Sequence, residues 1–311
     1  MKSSGEGNAN GKIILMGEHS VVYGKPAIAF PFQPTHVTAE ITDHIYDVLR
    51  SGYFVDPLAK APKSLENIKT LIHQLRHDFS TPPVQITISS TIPAERGMGS
   101  SAAVAVAITR AFFDWQNLPL SHELLLTYVN YAEKISHGNP SGIDAAATAG
   151  DEPILFQKGA AFETFPININ GFLIVADTGV KGKTRQTVKA VAQRFEQDNK
   201  TTGHLINELG DLTLKAKKAI LNNQAAYLGE LMNAAQKNLA ALQVSDQTLD
   251  NLIMVANQNG ALGAKLTGGG KGGCMIALAS DYSTAKKITT ALTNQGAKAT
   301  WIQELGVYQY A

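Results

Sequence analysis

The stretch PAERGMGSSAAVAVAITRA, residues 93–111, is the strongest local constraint in this 311-residue chain. Glycines at 97 and 99 and serines at 100 and 101 stand directly before an unbroken run of small apolar residues. The pattern predicts a tight loop followed by a helix from Ser101 to Trp115. Ala102, Ala103, Ala105 and Ala107 would let that helix pack closely on a sheet. Free N–H groups at such a helix start, together with the positive end of the helix dipole, suit an anion. Glycine leaves no Cβ in the way. Ser100 and Ser101 can cap the helix, bind a phosphate oxygen or give a hydroxyl to a metal. Read alone, the motif is equally a turn and an N-cap before a buried helix. It is not a Walker A loop, because no GK[ST] opens the helix. A Rossmann fingerprint fails at Ala102, and no acidic ribose partner follows in a βαβ setting.

Charge and cysteine content narrow the classes. The 27 basic and 26 acidic residues leave a formal net charge of +1, which gives no support to a nucleic-acid or membrane-surface partner. Cys274 is the only cysteine, so no internal disulfide forms and a reducing cytoplasm fits best. The N-terminal MKSSGEGNANGK lacks the apolar core of a secretory signal. No stretch reaches the ~20 apolar residues of a membrane span.

The periodicity predicts strands at 12–17, 36–42 and 83–92. Leu65, Ile68, Leu71, Ile72 and Leu75 share one face of a helix over 64–79, with Ser64 as its N-cap. A further helix is expected over 123–136. After 170 the composition shifts: a strand at 171–180, then a helix-rich stretch over 184–259 interrupted only by Gly203, Gly210 and Gly229. Two strands within 261–280, a helix near 283–295 and a last strand at 298–303 complete the chain. This order predicts an α+β second domain on an antiparallel sheet, and domains of 1–170 and 171–311.

Three polar clusters interrupt these patterns. In GKIILMGEHSVVYGKPAIA (11–29), Lys12 opens an apolar strand and Glu18 and His19 sit in the turn after it. A snorkelling lysine and a solvated turn are the ordinary explanations. In YAEKISHGNPSGIDAAATAG (131–150), Glu133 lies on a helix. Asp144 follows a tight turn at 137–142, among alanines, as an N-cap or a placed functional group. In KLTGGGKGGC (265–274), five glycines in seven residues exceed what a hairpin needs. They indicate a backbone that something approaches closely.

In this order and at these separations, the three glycine-rich and polar stretches resemble the motifs of the GHMP kinase superfamily. That family is named for galactokinase, homoserine kinase, mevalonate kinase and phosphomevalonate kinase. The match spans residues 11–274. GKIILMGEHSVVYGKPAIA and HGNPSGIDAA are most similar to the mevalonate kinase branch; a galactokinase would show Arg at position 12 and a GEHTDY-like turn.

The resemblance implies a two-domain fold, with an S5-like β/α N-terminal domain, a ferredoxin-like C-terminal domain and the active site in the cleft between them. It implies ATP as phosphoryl donor, mevalonate as acceptor, Mg²⁺ as cofactor and, in many members, a homodimer. Gly97, Met98, Gly99, Ser100 and Ser101 would cradle ATP phosphates, and Ser101 and Glu133 would hold the metal. Asp144 would be the base or an orienting acceptor for the C5 hydroxyl, with Lys12 beside it. Glu18, His19 and Thr184 would lie on the substrate side together with Lys12 and Asp144, and Gly268, Gly269 and Gly270 would form the third-motif loop. Lys12, His19 and Arg185 are candidates for the substrate carboxylate. The chain departs from the family at Lys271, where glycine is usual, and no binding role carries over to it. Cys274 is read as packing. Lys181, Lys183 and Arg185 keep a phosphomevalonate kinase as the alternative within the class. A non-catalytic nucleotide-binding regulator is the alternative outside it.

Overall fold

The computed structural model describes residues 2–306 except Asn139 and Ser141. The turn expected over 137–142 and the ends of both expected domains therefore fall partly outside the described residues. The chain forms two compact units. One comprises Met1–Lys12, Pro31–Pro93 and Gly99–Asp151, the other Ile13–Phe30, Ala94–Met98 and Glu152–Ala311. Strands β1 (Ser4–Met16) and β2 (Ala27–Asp43) each begin in one unit and end in the other.

The first unit continues through β3 (Val48–Arg50), β4 (Val55–Pro57), α1 (Glu66–Phe79) and β5 (Val84–Ser90). Helices α2 (Ser100–Gln116), α3 (His122–His137) and α4 (Ile143–Ala149) follow. Its strands lie in the order β4-β3-β5-β2, with β1 paired to β2. β3 and β5 are parallel, whereas β2 and β5 are antiparallel with Ala39 opposite Ile88 and Ile41 opposite Ile86. Val84, Ile86 and Ile88 are buried, as the alternation in that segment requires. On α1 the buried stripe is Ile68, Leu71, Ile72 and Leu75. Ser64 does not cap this helix. A 3₁₀ turn over Lys63–Leu65 precedes it and Leu65 takes the cap position. Both prolines just upstream, Pro57 and Pro62, hold the chain extended before such a turn.

β1 is more than twice as long as the apolar run at 12–17 suggests, because its first half is built of glycine and polar residues. A methyl on Gly5 would lie 2.6 Å from Trp115 Cα, and one on Gly7 would lie 2.8 Å from Arg110 Cβ and closer still to the Ala107 carbonyl. The strand backbone thus rests directly on α2. Propensity disfavours glycine in a strand, and contact with the helix overrides it.

The second unit adds β6 (Ile154–Phe156), β7 (Glu163–Thr164), β8 (Phe172–Asp177), α5 (Thr184–Gln197), α6 (Asn199–Leu221), α7 (Ala225–Ala241) and α8 (Gln247–Gln258). It ends with β9 (Gly263–Thr267), β10 (Cys274–Ala279), α9 (Tyr282–Asn294) and β11 (Ala299–Glu304). β11-β8-β10-β9 form an antiparallel sheet, the α+β arrangement expected from the element order. Ala27–Ala29 of β2 pair with β6, and β6 pairs with β7. That pairing places residues 152–170 in this unit, whereas the composition shift falls near 170.

Gly203 and Gly210 lie within α6 and Gly229 within α7, so these glycines do not interrupt the helices. A Cβ on Gly229 would be 2.7 Å from Leu262 Cβ, which makes the residue a packing contact. The breaks fall instead where Asp198 and Asp246 cap α6 and α8, accepting from Thr201 and Leu249 N–H.

Gly7→Ala should cost at least about 2 kcal/mol, because the methyl meets backbone that cannot yield. Gly52, where an added Cβ meets nothing within 4 Å, should tolerate alanine to within about 0.5 kcal/mol. Urea unfolding of the two variants checks the contrast.

Candidate active site

In the first unit Lys12 and Asp144 form an ion pair, Nζ to Oδ1 2.8 Å. The lysine side chain is 3% exposed and the aspartate 38%. Lys12 stands near the middle of β1, and Asp144 is in the first turn of α4. Gly99 makes their approach feasible. At φ +73° it caps α2 in the left-handed region, and a Cβ there would lie 2.7 Å from Lys12 Cγ and 3.1 Å from Thr148 Cγ2. The lysine stem passes beneath the loop where any other residue would block it. Thr148 Oγ1 donates to the Asp144 carbonyl at 2.8 Å.

Neither serine caps α2. Ser101 Oγ instead donates to Glu133 Oε1 at 2.6 Å and accepts from Asn67 Nδ2 at 3.2 Å, with Ser136 Oγ at 3.4 Å. Two hard oxygen donors are thus joined beside the first turn of α2, whose leading N–H groups have no intrahelical acceptor. Among the described residues no group of three or more His, Cys, Asp or Glu side chains is placed to hold a metal. A hydroxyl and a carboxylate still fit Mg²⁺, which takes few protein ligands and completes its shell with phosphate and water.

The second unit carries the start of the same loop. Arg96 Nε donates to Asp177 Oδ1 at 2.8 Å and its Nη2 to the Gly179 carbonyl at 3.0 Å. Gly182 N–H donates to the Glu95 carbonyl at 2.9 Å. A Cβ on Gly97 would lie 3.6 Å from Gly268 Cα, so the loop and the third glycine-rich segment are neighbours. Met98 is buried. Lys181 pairs with Glu95 at the surface.

Glu18 and His19 are both buried. The Glu18 carboxylate pairs with Lys265, each side chain 0% exposed. Lys265 also donates to the Leu266 carbonyl at 2.7 Å. His19 Nε2–H donates to the Gly269 carbonyl at 3.0 Å, and Thr187 Oγ1 donates to the same oxygen at 2.8 Å. Gly269 packs on Thr184, whose Cα would be 2.6 Å from an added Cβ. Gly268 and Gly270 have φ near +80°, and Lys271 follows at +49°, a left-handed position that favours glycine. Its N–H donates to the Val244 carbonyl at 2.9 Å. Cys274 is buried at the start of β10.

Lys265 escapes a motif search, although its signal is the same as that of Lys12: a lysine in an otherwise apolar strand. Asn67 and the Arg96–Asp177 pair carry no local signal, because each acts across a large sequence separation.

Family models described as GHMP kinases N terminal domain and GHMP kinases C terminal match residues 66–151 and 216–298, and the chain belongs to the GHMP kinase family. A mevalonate kinase of Thermococcus sibiricus is 36% identical over 90% of this chain and 92% of that protein. The crystal structure of mevalonate kinase from methicillin-resistant Staphylococcus aureus is 35% identical, with a TM-score of 0.76 over 98% of this chain and all of that one. That of L. major mevalonate kinase in complex with R-mevalonate is 26% identical, with a TM-score of 0.86 and 98% of each chain covered. No helix among the described residues is long and apolar enough to cross a membrane.

Burial holds the His19 pKa down at about 4, against 6.5 for a free imidazole; the Lys265 charge adds to this and the Gly269 hydrogen bond opposes it. The folded imidazole therefore stays neutral while the unfolded one protonates. Its contribution to stability is complete above pH 6.5 and is lost as pH falls from 6.5 toward 4. Between pH 7 and 4.5 the wild type should lose about 2–3 kcal/mol more stability than His19→Gln, read from denaturant unfolding at each pH.

Proposed function

We propose that this chain transfers the γ-phosphoryl group of ATP to the C5 hydroxyl of mevalonate, giving 5-phosphomevalonate and ADP. The observation that carries the reading is the asymmetry of the Lys12–Asp144 pair, a sealed cation holding a carboxylate that remains open to an acceptor. Full-length similarity to mevalonate kinases supports the choice of alcohol. Lys181, one of the basic residues that a phosphorylated acceptor would need, is already matched by Glu95.

The chemistry follows from the residues. Lys12 pairs with Asp144 and stabilises negative charge as it develops on the acceptor oxygen. Asp144 aligns the hydroxyl and takes its proton, early or late according to how loose the transition state is. Backbone N–H groups at residues 97–101 bind the phosphates, and small residues there let them come close. Ser101 and Glu133 would hold Mg²⁺, which when bound neutralises phosphate charge. Gly268 lies against Gly97 within the second unit, and Thr184, packed on Gly269, is assigned to the substrate side. A reducing cytoplasm is the setting, in keeping with the lone buried Cys274.

Purified protein with Mg-ATP should release ADP with mevalonate and not with 5-phosphomevalonate, galactose or homoserine. Asp144→Asn should lower kcat by about 10²–10⁴-fold, the range for a lost general base, without raising KM for ATP. Turnover on 5-phosphomevalonate alone would replace the acceptor assignment. ATP binding with silence on every alcohol would make the chain a nucleotide-binding regulator. Glu133→Gln should raise the Mg²⁺ concentration at half-maximal rate severalfold, read from a metal titration at saturating ATP and mevalonate.

A further inference from the structure

Four observations converge on the turn at 17–20. His19 has φ +62° and ψ −43°, and Ser20 N–H donates to the Glu18 carbonyl at 2.7 Å. This is the three-residue γ-turn of the rare, strained hand, here centred on a residue with a side chain. Immediately before it, the Glu18 carboxylate is sealed against Lys265, which stands in the middle of β9. Immediately within it, the imidazole Nε2–H is committed to the Gly269 carbonyl. That oxygen also receives the hydroxyl of Thr187, one helical turn beyond Thr184, and Thr184 is in contact with Gly269 itself.

A fully buried ion pair is a poor device for stability, because desolvation offsets most of the attraction. A strained turn adds cost. Both persist here at one place, and together they set the position of a single carbonyl. A trans peptide is planar, so fixing the Gly269 carbonyl also fixes the Gly270 N–H, which points the opposite way.

We propose that Lys265 is a positioning residue for the phosphoryl-transfer reaction: its pair with Glu18 holds the strained turn that lays His19 on the Gly269 carbonyl, and so sets the third glycine-rich loop and Thr184 on α5. The inference rests on the kinase reading above. It assigns Glu18 an indirect role, acting through the turn, in place of contact with substrate.

The test removes the pair without stranding a charge. Lys265→Met alone leaves a buried carboxylate and is expected to unfold readily, so the informative variant is Lys265→Met combined with Glu18→Leu, compared with wild type. The double variant should unfold cooperatively with native circular dichroism. Its kcat/KM for mevalonate should fall at least tenfold, while KM for ATP stays within twofold. In ¹⁵N imidazole NMR without substrates, wild-type His19 should show a single Nε2–H tautomer, and the double variant a mixture of tautomers. Wild-type kcat/KM in a folded double variant, or equal losses toward ATP and mevalonate, would overturn the proposal, as would an unchanged His19 tautomer. If the double variant does not fold, Glu18→Gln with Lys265 intact carries the same tautomer and kinetic readouts. Should the wild type phosphorylate no mevalonate, the kinase reading falls, and the tautomer comparison still decides whether the pair positions the loop.

Discussion

The first unit depends on the direct contact of a strand backbone with a helix. Gly5 of β1 abuts Trp115, Gly7 abuts Ala107, Arg110 and Ala111, and the stem of Lys12 lies under Gly99. The strand therefore runs antiparallel to α2 from the end of the helix to its beginning. Seven residues of strand from Gly5 to Lys12 cover about 23 Å. Sixteen residues of helix from Trp115 back to Gly99 cover about 24 Å. The lengths match, and the match delivers the lysine to the helix N-terminus. The two glycines and the alanine face of α2 therefore fix the position of a charge as well as the packing.

The loop over residues 94–101 has its first part in the second unit and its remainder in the first. Residues 94–98 are held by Arg96 on Asp177 and Gly179 and by the Glu95 carbonyl on Gly182. From Gly99 onward the chain is held by α2, by the Lys12 stem and by the Ser101–Glu133 hydrogen bond. Asp177 also accepts from the Gly179 N–H at 2.8 Å, so one buried carboxylate organises both its own turn and the arginine. The freedom that Gly97 and Gly99 give the loop is thus bounded on either side by groups that cannot move without exposing a buried polar atom.

Most of the fold is legible in the sequence because its segments obey simple periods. The stripe of α1, the alternation of β5 and the strand and helix order of the second unit all follow from where apolar residues fall. The first half of β1 does not, since glycine carries no side-chain period and its reason lies in α2, about a hundred residues away. The helix breaks between 184 and 259 were similarly hidden. Glycine reads as a breaker in isolation, but Gly229 sits within a helix because Leu262 leaves no room for a methyl. At the site, the glycines, Ser101, Glu133, Lys12 and Asp144 were legible as motifs, and Lys12 with Asp144 proved to be a contacting pair. The burial of Glu18 was not legible, because the partner that permits it lies 247 residues away.

Lys12 and Lys265 are the same residue in the same local setting, a cation inside an apolar strand, and no pattern of neighbours separates them. Their partners do. Asp144 keeps more than a third of its side-chain surface open, so the carboxylate paired with Lys12 stays accessible. Glu18 keeps none. The Glu18–Lys265 pair is enclosed by protein, in keeping with the positioning role proposed for it. Burial of the cation marks both sites as places where the chain accepts a cost. Exposure of the anion is what distinguishes them.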